Sequence, residues 1–95
     1  MRTMAGTGVN IPISERARRF GYVIWPKALD GGMNDLLSGC ERVRVVFNGV
    51  DLGEKRLDWP RRRLSVGSSR TRDVPESAKE FVVSLERGAL IVHSR

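Results

Sequence analysis

Glutamine is absent from this chain, cysteine and histidine occur once each, and no apolar run approaches the roughly 20 residues that a transmembrane helix needs. Each gap narrows the function. The lone Cys40 closes no intrachain disulfide and has no CxxC partner for metal or redox work. The lone His93 leaves a zinc or iron site without its ordinary ligands, so neither metal nor cofactor is expected. There is no Ser-His-Asp set, no P-loop and no GxGxxG. Two carboxylate pairs, Asp30 with Asp35 and Asp51 with Asp58, are better explained structurally: Asp30 as a helix cap and Asp51 as a solvent-facing strand residue. No catalytic residue is assigned. The first residues carry one early arginine and no continuous apolar stretch, so no secretory signal is expected. The expected compartment is the cytoplasm, with no membrane partner.

What the chain does hold is arginine, 14 residues against 3 lysines, and a net charge of +6. A GC-rich genome also produces such a bias, so distribution carries more information than total. Residues 1–19 contribute +3 from Arg2, Arg16, Arg18 and Arg19 against Glu15, and residues 61–72 contribute +5 from Arg61, Arg62, Arg63, Arg70 and Arg72 with no acid. Residues 20–60 and 73–95 contribute −1 each. All the excess therefore lies in two short blocks, which form one positive patch if the fold brings them together. Arginine suits such a patch because its planar fork makes paired hydrogen bonds to phosphate and carboxylate.

Ninety-five residues amount to one domain with a small core. Residues 1–13, without periodicity, read as a flexible tail, and 14–95 as a single small α+β domain. "SERARR" offers the start of a helical turn with Ser14 as its cap, too short to stand alone. "RFGYVIWP" reads as a strand ending at Pro26, with Phe20, Tyr22 and Ile24 on one face and Val23 and Trp25 on the other, which suggests a central position. "DGGMNDLLSG" predicts a short helix with Asp30 as N-cap, Met33, Leu36 and Leu37 on one face and Gly39 as the stop.

"RVRVVFNGVDLG" predicts a hairpin about Asn48 and Gly49, because both tolerate the positive φ of a type I′ turn. That register sets Phe47 opposite Val50 and Val45 opposite Leu52, with a bulge at Gly53 shifting the apolar parity to Leu57 and Trp59. After Pro60, "RRRLSVG" resumes alternation with Leu64 and Val66 inward and Arg61 and Arg63 outward. Residues 67–75 read as a loop and "PESAKE" as one helical turn or an extended link. "EFVVSLERGALIVHS" predicts a second hairpin around Arg87 and Gly88, with Leu85 opposite Leu90 and Val83 opposite Val92. The expected architecture is a mostly antiparallel sheet or partly open barrel of five to six strands, with one short helix after the first strand.

These features favour a non-catalytic basic binding module that takes nucleic acid with weak sequence specificity. Its candidate residues are Arg61, Arg62, Arg63, Arg70 and Arg72 beside Trp59, with Arg16, Arg18 and Arg19 beside Phe20. Phosphate attraction supplies affinity, and an exposed aromatic stacks on an unpaired base. Core packing is the competing use of Trp25 and Trp59, since so small a domain needs its large side chains. Two other functions remain open. One is an adaptor or regulatory domain whose arginines meet an acidic protein or whose sheet edge recruits a strand. The other is a metal-independent ribonuclease, similar in size and composition to small bacterial toxin ribonucleases, with Tyr22 and the arginines as candidates. As residues read to be exposed, Arg61, Arg62 and Arg63 are expected to be replaceable with little change in the melt.

Overall fold

The computed structural model describes residues 8–95. The chain runs β1 (Val9–Pro12), α1 (Glu15–Phe20), β2 (Tyr22–Ile24), a 3-10 turn (Lys27–Leu29), α2 (Asp30–Leu37), β3 (Arg42–Phe47), β4 (Val50–Asp58), β5 (Arg63–Ser65), α3 (Ser68–Arg72), β6 (Glu80–Glu86) and β7 (Ala89–Ser94). The strands form one mixed sheet in the order β1-β6-β7-β3-β4-β5-β2, curled into a nearly closed barrel.

Both hairpins form on their predicted turns. Asn48 and Gly49 have φ of 46° and 84°, and Arg87 and Gly88 have 52° and 79°, the positive pairs of type I′ geometry. Phe47 faces Val50, Leu85 faces Leu90 and Val83 faces Val92. The bulge lies at Gly53, but it shifts the expected pairing of Val45 from Leu52 to Gly53, leaving Leu52 unpaired in the ladder. The Asp51 carboxylate accepts the Gly53 N–H at 2.9 Å and fixes this geometry. A bulge bends and twists its strand, so β4 pairs with β3 over its first part and with β5 at Leu57 and Asp58. Leu57 is thereby buried.

The strand count is seven, beyond the five to six expected, and the sheet is not purely antiparallel, because β7 runs parallel to β3 from Arg44–Ala89 to Phe47–Val92. The long connection from β5 through α3 carries the last hairpin across the sheet and sets this direction. Part of the expected tail is also a strand: Val9 and Ile11 alternate inward and pair with Val83 and Phe81 of β6. Two inward residues make too short a pattern to read from sequence, and the tail before Gly8 lies outside the described residues.

Three helices replace the single one expected. In α1 the Ser14 hydroxyl accepts the Ala17 N–H at 3.0 Å, as its capping role requires, and Gly21 closes the C-terminus in a left-handed conformation. Phe20 therefore ends a helix instead of extending a strand, and β2 lies at the end of the strand order, not in a central position. α3 occupies the stretch read as a loop, held by the buried Thr71. Asp30 is the first residue of α2, not its cap, and its carboxylate turns to Trp25 and Arg62. Trp25, Phe81, Ile11, Met33 and Leu64 are the largest fully buried side chains, and Phe47 meets Phe81 edge-on at 5.6 Å.

Gly21 sits where α1 crosses the chain after β5. Its carbonyl accepts the N–H groups of Val66 at 2.8 Å and Gly67 at 3.1 Å. A Cβ at this position would lie 2.2 Å from the Ser68 nitrogen, and φ is 79°. Gly53, at φ 74°, has open space around it. In urea denaturation, G21A is expected to cost about 3 kcal/mol or more, against about 1 kcal/mol for G53A, which meets only the backbone penalty. Equal losses would mean that the crossing is not tightly packed.

Candidate nucleic-acid interface

The crossing at Gly21 joins the two basic blocks. α1 carries Arg16, Arg18 and Arg19, while β5 and α3 carry Arg63, Arg70 and Arg72, with Arg61 and Arg62 in the turn between β4 and β5. The Thr71 hydroxyl donates to the Arg18 carbonyl at 2.7 Å and seals α3 against α1. As a result Arg16 lines one depression with Ile24, Arg61 and Arg63. A second depression gathers Arg19 and Arg72 with Glu15 and Glu76. Arg2, part of the first block, lies outside the described residues.

The arginines of this face do different work. Arg18 is half-buried and donates to three carbonyls, of Val74 and Pro75 at 3.1 Å and of Ala78 at 2.8 Å, so it straps the connection before β6. Arg62 is also engaged. Its Nε lies 2.8 and 3.0 Å from the two Asp30 oxygens, its carbonyl accepts the Trp25 N–H at 2.9 Å, and its φ is 54°. The Trp25 indole donates to the same carboxylate at 2.9 Å. Arg62 therefore ties the β4–β5 turn to α2, and it is not a substitutable surface arginine. Its hydrogen bond holds the Asp30 carboxyl below the ordinary value, against the opposing effect of burial.

Arg63 lies over the Tyr22 ring at 4.5 Å and 3.6 Å from Asp58, with 27% of its side chain exposed. Arg61 reaches Asp58 at 3.1 Å but keeps 68% exposure. Burial pushes the Asp58 carboxyl up. Hydrogen bonds from the Arg61 side chain and backbone, with the charges of Arg61 and Arg63, outweigh this and hold it below its ordinary range. Arg19 makes only an open 3.8 Å pair with Glu15. Arg16, Arg70 and Arg72 are exposed and make no side-chain hydrogen bond or ion pair among the described residues. Five arginines thus present charge outward: Arg16, Arg19, Arg61, Arg70 and Arg72.

The two tryptophans separate. Trp25 is 1% exposed and belongs to the core. Trp59 is half-buried, donates its indole N–H to the Cys40 carbonyl at 2.7 Å and meets Trp25 near-perpendicularly at 5.5 Å. Its remaining surface lines a cleft of about 600 Å³ with Glu41, Arg56 and Arg61. Ile24, Glu41 and Arg56 were not expected here. Arg56 follows Glu54 and Lys55 in a charge-balanced stretch, so no local excess marks it. Among the described residues, no three or more of His, Cys, Asp and Glu are grouped to hold a metal ion, and no helix is long and apolar enough to cross a membrane.

Comparison of the chain with protein-family models, with curated proteins and with solved structures yields no match.

The different engagement of neighbouring arginines is testable by thermal melts. R62A is expected to lower Tm by several degrees at neutral pH, whereas R61A leaves it nearly unchanged. Because Asp30 has a folded-state pKa below its ordinary 3.8, its contribution is present above that pH and lost as pH falls through the lowered value. The gap between wild type and R62A should accordingly narrow below about pH 3.8. A gap unchanged in acid would remove the ion pair as its cause.

Proposed function

We propose that the protein is a small basic binding module that grips the phosphate backbone of nucleic acid, with weak sequence specificity. The observation that carries this reading is the depression in which Arg16 from the first basic block stands with Arg61 and Arg63 from the second. The three arginine side chains line it together with the apolar Ile24, Arg16 and Arg61 being exposed and Arg63 held over Tyr22. Such low-dielectric walls focus the field of like charges and raise the local attraction for a polyanion.

Arg19 and Arg72 meet in a neighbouring depression between α1 and α3, and α3 also carries the exposed Arg70. Contacts of this kind fix position on the backbone and carry no base information, which is why the specificity is weak. Asp58 tempers the charge of Arg61 without removing it, since the Arg61 side chain keeps 68% exposure and an ion pair open to solvent on one side is weak.

Fluorescence anisotropy with labelled oligonucleotides at several salt concentrations tests the reading. Five phosphate contacts predict a slope of log K against log salt of about −4.5 on duplex and about −3.5 on single strands. Replacing Arg16 and Arg61 together with alanine should flatten the slope by about 2. Absence of binding at low salt would refute the reading and direct attention to acidic protein partners.

A further inference from the structure

Beside the arginine face, the turn that follows β4 opens the cleft walled by Trp59, with Glu41, Arg56, Pro60 and Arg61 around it. We infer that this cleft seats one unpaired base of a single-stranded nucleic acid, stacked on Trp59, while the adjoining phosphate stays on the arginine face. The inference rests on the phosphate-binding reading above and adds selectivity for single strands over duplex.

Four observations converge on it. Arg61 lines both the arginine depression and the cleft, so the two adjoin at one side chain and a phosphate on Arg16 and Arg61 stands beside the cleft. Trp59 is held in advance, by its bond to the Cys40 carbonyl and its near-perpendicular contact with Trp25, so stacking requires little further ordering of the ring. The cleft also contains carboxylates. Asp58 is engaged by Arg61, whereas Glu41 is exposed and its side chain makes no hydrogen bond among the described residues. With Arg56 and Arg61 beside Glu41 and Asp58 the cleft is balanced in charge and offers both donors and acceptors, which suits the polar edge of a heterocycle stacked on Trp59. At about 600 Å³ the space falls within the range of small-ligand sites. A duplex keeps its bases stacked and paired, so it reaches only the arginine face.

The test compares three labelled probes of one length at one salt concentration: a single strand of mixed sequence, its duplex, and an abasic strand with the same phosphates. The single strand is expected to bind about ten-fold more tightly than either other probe, the scale of one stacked base. It should also quench tryptophan emission, and with Trp25 sealed in the core the responding ring is Trp59. The abasic strand should bind without that quench. W59F should keep most of the single-strand preference, and W59L should bind the single strand no better than the abasic one. Equal affinity for all three probes overturns the base seat and leaves the phosphate reading standing. No binding of any probe at low salt overturns both. Should W59L fail to fold, the wild-type comparison of the three probes decides the matter alone.

Discussion

The close approach of Gly21 to Val66, Gly67 and Ser68 governs both the end of the barrel and the arrangement of charge upon it. Two backbones pass within hydrogen-bonding distance there, which only a residue without a side chain permits. The same left-handed residue ends α1, directs the chain into β2 and sets β2 beside β5. One backbone contact thus serves a helix cap, a strand pairing and the union of two basic segments lying about 45 residues apart in sequence.

Around that crossing, several arginines act as structural ties. Arg18 satisfies three carbonyls of a connection that has no sheet partner at those positions. Arg62 draws Asp30 and Trp25 into one hydrogen-bonded group, joining the turn after β4 to the start of α2. Arg18 exploits the fixed fork of the guanidinium, whose Nη1 and Nη2 groups reach three carbonyls at once where a lysine offers a single point charge, whereas Arg62 meets both oxygens of Asp30 through its Nε alone. Linear charge density therefore overstates the charge offered to a partner. The outward arginines are those whose side chains form no hydrogen bond or ion pair among the described residues, Arg16, Arg70 and Arg72.

The barrel follows from a division of labour among its strands. Two tight hairpins supply local pairing, the bulge at Gly53 curls β4 so that it serves two neighbours, and the parallel contact of β3 with β7 joins the halves. That last contact carries no turn, so nothing adjacent in the chain announces it. Its strength lies in the inward residues Val45, Phe47, Leu90 and Val92, all buried in the common core. β1 then covers β6 through Val9 and Ile11, adding a strand from a segment whose local composition resembles a tail.

The hairpin turns, the bulge, the Ser14 cap and the inward alternation of β3, β6 and β7 were determined locally. Each depends on the φ a residue tolerates or on side-chain period, and both are properties of neighbouring residues. The arginine blocks were equally legible as candidates. Only the tertiary structure decided that these blocks meet, that Arg18 and Arg62 serve the fold, and that Trp59 rather than Trp25 borders a cleft. It alone decided the parallel pairing, the strand at Val9–Pro12 and the helix at Ser68–Arg72. These outcomes rest on contacts between distant segments, where burial of a shared core and satisfaction of backbone groups outweigh the weak preferences of three to five residues read alone.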